Sequence, residues 1–172
     1  MGKETDIVEF WGEAVAAPTV ITKFENWVTE VNAFLRGKNP VQNKSEFDAK
    51  LDGIYAAYAK GEKTRDLIKS VVGEILPITN EKDPSWEEGA QNLLHGCILA
   101  ILQNKESKNL TMDKIKKISG LGIFDEERPE MLKAFFKIQS EECRQFVDAV
   151  INNAPFTTRN FLGAVYSKLA RI

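Results

Sequence analysis

The chain has 172 residues, 43% hydrophobic and 28% charged, with a formal net charge of -2. That is enough chain for one domain with a real core, and its near-neutral balance excludes a strong overall field for nucleic acid or an anionic membrane. No apolar run reaches the ~18 residues that a bilayer-spanning helix needs, and Met1-Gly2-Lys3-Glu4 leads straight into an amphipathic segment without the pattern of a signal peptide.

In chain order, apolar residues recur at three and four, the period of a helix half-sunk in a core. The spacing predicts a first helix over about 6–16 (Ile7, Phe10, Trp11, Ala14, Val15), ended by Pro18. A second runs over about 19–36 (Val20, Phe24, Trp27, Val28, Val31, Phe34, Leu35) to Gly37. A third follows Ser45 as its cap, with Phe47, Leu51, Ile54, Tyr55 and Tyr58 on one face and Gly61 at its end. A fourth carries Leu67, Ile68, Val71, Val72, Ile75 and Leu76, closed by Pro77.

Next comes "DPSWEEGAQNLLHGCILAIL" at 83–102. Either Asp83 caps a helix with Pro84 at its first position, or Ser85 caps it and Glu88 completes a capping box. Trp86, Ala90, Leu93, Leu94, Cys97, Ile98 and Ile101 form its inner face, and 97–102 are apolar without interruption. A helix apolar all round is surrounded by others, so about 85–103 is the expected central helix, with Trp86 anchoring its start. Beyond it, short helices are expected over about 111–118, 129–139 and 141–152, and a last one opens at Thr157 or Thr158. Strand signals are almost absent. The expected fold class is all-α: a compact domain of about eight to nine helices around that central helix. All 172 residues read as one domain, with 1–50 as a lineage-specific helical extension. The abrupt stop at Ile172 is expected of a piece excised from a larger protein.

No motif announces catalysis. There is no phosphate loop, no nucleophile elbow and no zinc pattern. His95 is the single histidine, and its apolar neighbours make it a core or boundary residue. Cys97 and Cys143 read as free thiols. No cofactor is expected. Lys105, Lys108, Lys114, Lys116 and Lys117 concentrate positive charge on one short stretch, and Asp125, Glu126 and Glu127 form an acidic run. Both read first as solvated surface, and second as contact patches for a partner.

Four segments resemble the all-α domain of the type IV secretion coupling proteins, the conjugation coupling ATPases of the TraG/TraD kind. The block at 83–102 is similar to that family's tryptophan, acid pair, alanine and leucine-rich helix, here Trp86, Glu87, Ala90, Leu93 and Leu94. "NLTMDKIKKIS" at 109–119, "APFTTRNFLGAVYSKLA" at 154–170 and "IYAAYAKGEKTRDLIKSVVGEILP" at 54–77 resemble the flanking segments. Residues 50–170 carry the resemblance; the first ~50 match nothing in it.

The resemblance implies a domain inserted in a hexameric, membrane-anchored motor ATPase at the cytoplasmic face of the bacterial inner or plasma membrane. The domain itself is expected to be cytoplasmic, without direct membrane contact. It would recognise relaxase, relaxosome accessory proteins or other secreted substrates, with DNA as a further partner, and deliver them to the conjugation channel. Both nucleotide-binding motifs lie outside that insertion and are missing here, so no catalysis is expected of this chain alone. Lys114, Lys116, Lys117, Glu126 and Glu127 are the expected partner-binding residues. The alternative is a stand-alone helical DNA-binding protein with 114–117 as its recognition segment.

Overall fold

The computed structural model describes residues 44–119, 128–153, 155–169 and 172. The expected helices over 6–16 and 19–36, and the acidic run with Glu126 and Glu127, lie outside the described residues. Seven helices follow in order: α1 Lys44–Ala59, α2 Arg65–Ile75, α3 Ser85–Gln103, α4 Met112–Ser119, α5 Arg128–Lys137, α6 Glu141–Ile151 and α7 Pro155–Leu169. The fold is all-α, with no strand among the described residues.

α3 is the axle. Every residue from Leu93 to Leu102 is buried, His95 and Gly96 included. Such a helix has no solvent face, so it needs neighbours on every side; α2, α4, α6 and α7 provide them, while α1 packs on α2 and α4, and α5 on α6 and α7. The expected central helix over 85–103 is observed with the same bounds.

Gly96 sets the closest approach. A Cβ there would sit 2.2 Å from Val147 Cγ1, so its hydrogen lets α6 lie directly on the α3 backbone. In the same place Cys143 Sγ donates to the Gly96 carbonyl at 3.2 Å. Both cysteines are buried free thiols. Burial raises the Cys97 thiol far above its ordinary range and pushes Cys143 up to about 12. A thiol held protonated is a poor nucleophile and a poor metal ligand.

Helix ends are tied to neighbours by polar side chains. α1 closes in a Schellman motif: Gly61, at φ 76°, donates to the Tyr58 carbonyl and Glu62 to the Ala57 carbonyl, each at 3.0 Å. The predicted stop at Gly61 therefore stands, and a left-handed φ is the reason a glycine is there. The predicted start differs, since α1 already includes Lys44 and so Ser45 is not its cap. Asp48 of α1 accepts the Met112 N–H at 2.9 Å, and Thr111 Oγ1 accepts that of Lys114 at 3.3 Å, so α4 is capped partly by another helix. Gln91 of α3 donates to the Leu76 carbonyl at 2.7 Å, where α2 ends. Ser140 caps α6 by accepting the Cys143 N–H at 3.1 Å.

α7 begins at Pro155 rather than at either threonine. Thr158 is fully buried, and its hydroxyl donates to the Val150 carbonyl at 2.9 Å, tying α7 to the end of α6. Leu67 departs from its expected place in the core, being 45% exposed, whereas Ile68 beside it is fully buried.

Candidate functional site

The start of α3 is built differently from either predicted cap. Pro84 already has helical φ −79° and ψ −5°, and its carbonyl accepts the Glu88 N–H at 2.8 Å. The Ser85 hydroxyl donates to Asp83 Oδ1 at 2.6 Å, so neither side chain caps a backbone N–H of the first turn and the Ser85–Glu88 box is not formed. The neighbouring acid does the reaching back. Glu87 Oε2 accepts the N–H of Thr79 at 2.8 Å and that of Asn80 at 3.1 Å, while the Thr79 hydroxyl donates to Glu87 Oε1. The Thr79 hydroxyl, with the Asn80 and Thr79 amides, holds this carboxyl below the usual carboxylate range. Glu87 thus fastens the loop between α2 and α3 onto the first turn of α3, where the helix dipole also favours its charge.

Trp86 packs on α7. Its ring stacks on Phe161 of α7, centroids 3.9 Å apart and planes 20° from parallel, yet the residue stays 43% exposed. Phe161 is 8% exposed and lies over Gly89, where a Cβ would meet its Cε1 at 2.6 Å. Trp86, Phe161 and Gly89 therefore form layers at the junction of α3 and α7. Beside them opens a cleft of about 230 Å³ whose walls include Leu76, Pro77, Trp86, Ala90, Ala164 and Lys168, with Glu87 and Thr79 at its edge. An apolar floor with an exposed indole, one carboxylate and one ammonium suits a side chain or short segment of a protein partner.

The structure thus brings Trp86, Glu87 and Ala90 together on one cleft and separates them from Leu93 and Leu94, which are fully buried inside α3's packing. Lys168 and Ala164 escaped the sequence reading. Their spacing from Phe161, three and seven residues on, placed them on one stripe of α7, but only packing shows that the stripe meets Trp86.

The lysine stretch does not form one solvated face. Lys116 is 2% exposed, which corrects the expectation that it contributes to an exposed patch. α4 packs on α1, α3 and α7, so Met112, Ile115, Lys116, Ile118 and Ser119 all turn inward. Lys114 Nζ is occupied locally, donating to Ser107 Oγ at 3.1 Å and to the Asn109 carbonyl at 3.3 Å. It braces the loop before α4. Lys117 is partly exposed, and Lys105 and Lys108 are exposed on the loop.

His95 is a core residue, 6% exposed, its imidazole stacked on Phe146 with centroids 3.9 Å apart and planes 7° from parallel. The Arg65 guanidinium lies 5.5 Å from the same phenyl centroid. Burial first, then the positive charges of Arg65 and Lys69, lowers the His95 pKa from 6.5 to about 4. The unfolded chain therefore binds an extra proton between those values, and stability is lost as pH falls from 6.5 through 4. Because this is the single histidine, a loss of about 2 kcal/mol is expected between pH 7 and pH 5. Urea midpoints at the two pH values measure it, and His95→Phe should flatten the difference. An equal loss in the variant would remove His95 as the cause.

Among the described residues, no group of three or more His, Cys, Asp or Glu is placed to hold a metal ion, and no helix is long and apolar enough to cross a membrane. No family model, no curated protein and no solved structure matches the chain.

Proposed function

We propose that the chain is the substrate-recognition, all-α domain of a type IV secretion coupling protein, which docks relaxase–DNA complexes or other secreted substrates and catalyses nothing by itself. One observation carries the reading. Two of the segments that carry the resemblance, 83–102 and 154–170, meet through the Trp86–Phe161 stack and contribute residues to one open cleft. Trp86 offers nearly half of its surface beside an apolar cleft, and tryptophan is enriched among the anchor residues of protein interfaces. The burial of Lys116 and the local bonding of Lys114 leave the 114–117 segment with little charge to offer a DNA groove, so the recognition of protein is favoured over a stand-alone DNA-binding role.

The test is calorimetry of the purified chain against the relaxase and accessory protein encoded with it, with and without origin DNA, at two salt concentrations. Binding of micromolar order that survives the higher salt is expected. Trp86→Ala and Lys168→Glu should each weaken it at least about tenfold. Binding to DNA alone, collapsing with salt, would replace the reading with the DNA-binding one; binding to neither partner would refute it.

A further inference from the structure

The tryptophan cleft lies near the point where the chain enters the described fold. α1 turns at Gly61 into α2 and packs against it, and Lys50 Nζ of α1 pairs with Glu74 of α2. Glu74 is two residues before Leu76, which with Pro77 forms one wall of the cleft. The start of α1 therefore stands beside the end of α2, and the chain that precedes Lys44 arrives at the cleft's end of the bundle.

The cleft offers apolar surface that the described residues leave open. Trp86 is 43% exposed, and Ile78, between the lining residues Pro77 and Thr79, is 40% exposed. Its volume of about 230 Å³ is below the roughly 300–1,000 Å³ of a small-molecule pocket. Its walls come from α3, α7 and the end of α2, the form of a groove that takes side chains from a helix.

The 43 residues before α1 carry a stripe that matches it. Val20, Phe24, Trp27, Val31 and Phe34 recur at alternating steps of four and three, the seam by which one helix packs into others. Such a stripe is stable only when it is covered. Lys23 and Glu30 border it on one side and are opposite in sign, as Glu87 and Lys168 are at the cleft. Residues 37–43 join the stripe to α1 and span up to about 25 Å when extended. That exceeds the rise of about 9 Å between Lys50 and the start of α1.

We propose that the segment 19–36 docks as a helix in the tryptophan cleft of its own chain, seating Trp27 and Val31 there, and that a protein partner binds by displacing it. The inference rests on the cleft being a dock for a protein segment, whatever that partner is. Tethering favours the chain's own segment over that of a second copy, because a short linker holds it at an effective concentration of millimolar order.

The experiment places a nitroxide on the full chain at Thr29→Cys, opposite the stripe. Cys97 and Cys143 are buried, so the label reacts at position 29 alone. In the ¹⁵N-labelled chain, the Trp86 indole N–H and the Ala90 amide should lose most of their intensity with the nitroxide oxidised and regain it on reduction. Val31→Asp should abolish that loss, whereas Thr22→Asp, on the polar side of the same helix, should keep it. A ¹⁵N chain without the nitroxide, mixed with a nitroxide-bearing chain free of ¹⁵N, should lose nothing. The inference is overturned if Trp86 keeps its intensity beside the oxidised label, if the loss crosses between chains in the mixture, or if the two aspartate variants act alike. Partner binding remains a separate readout: calorimetric binding that depends on Trp86, with no broadening of Trp86 by the label, would sink this inference and leave the proposed function standing.

Discussion

Phe161→Ala is expected to destabilise the chain by about 3–5 kcal/mol, the range for removing a buried phenyl ring. Phe161 is 8% exposed and is held between the Trp86 ring and the backbone of Gly89. Truncation loses the burial of the ring and the aromatic contact, which is worth about 0.5–1.5 kcal/mol beyond area. It also leaves a space that α3 cannot fill, because the residue facing it is a glycine. Chemical denaturation measures the loss. In a Trp11→Phe, Trp27→Phe background, Trp86 is the one remaining indole, and its emission should shift to the red as its stacking partner goes. A loss below about 1 kcal/mol with unchanged emission would show that the stack does not join α3 to α7 in solution. It would also remove the support on which the docking cleft rests.

Gly96→Ala should cost about 2 kcal/mol even though alanine is the better helix former by about 1 kcal/mol. The new methyl would lie 2.2 Å from Val147 Cγ1. Val147 is fully buried on α6, and its β-branched side chain has few rotamers to retreat to. The two helices must therefore separate, and overpacking of this kind costs about 1–3 kcal/mol. Val147→Ala should be destabilising alone and should rescue part of the loss in the Gly96→Ala background. A double-mutant cycle is expected to return a coupling above about 1 kcal/mol. Additivity within about 0.5 kcal/mol would show that the α3–α6 approach is looser than the structure has it.

Much of the helical outline was legible because local rules govern it. The apolar run from Cys97 to Leu102 has no polar side, so a central helix followed directly. The stop at Gly61 was readable because a left-handed φ favours glycine, and Pro77 lies just past the end of α2. Capping was legible less often. Thr111, expected only as the first residue of a helix, caps α4, and Asp48 assists from 64 residues away, a partner that no local pattern reports. At α3 the sequence offered two cap chemistries, and the structure took neither: the Ser85 hydroxyl bonds Asp83, and it is Glu87 that reaches back, to the loop amides of Thr79 and Asn80. The site was legible in part: Trp86 and Glu87 stood out by type, whereas Ala164 and Lys168 gained meaning only through the packing of α7.

By itself the sequence determined the helical class, the position of the central helix and the absence of a recognisable catalytic motif. Each depends on periodicity or residue type over a few turns, where 3.6-residue geometry leaves little choice. Tertiary structure alone decided which surfaces are open. Lys116 is charged and lies next to Lys117, yet α4 has neighbours on several sides and Lys116 faces them. Trp86 is the most apolar-looking residue at its helix start, yet it remains 43% exposed because Phe161 covers one face of its ring. Burial depends on what packs from elsewhere in the chain, and that is a sum of long-range contacts which no local window contains.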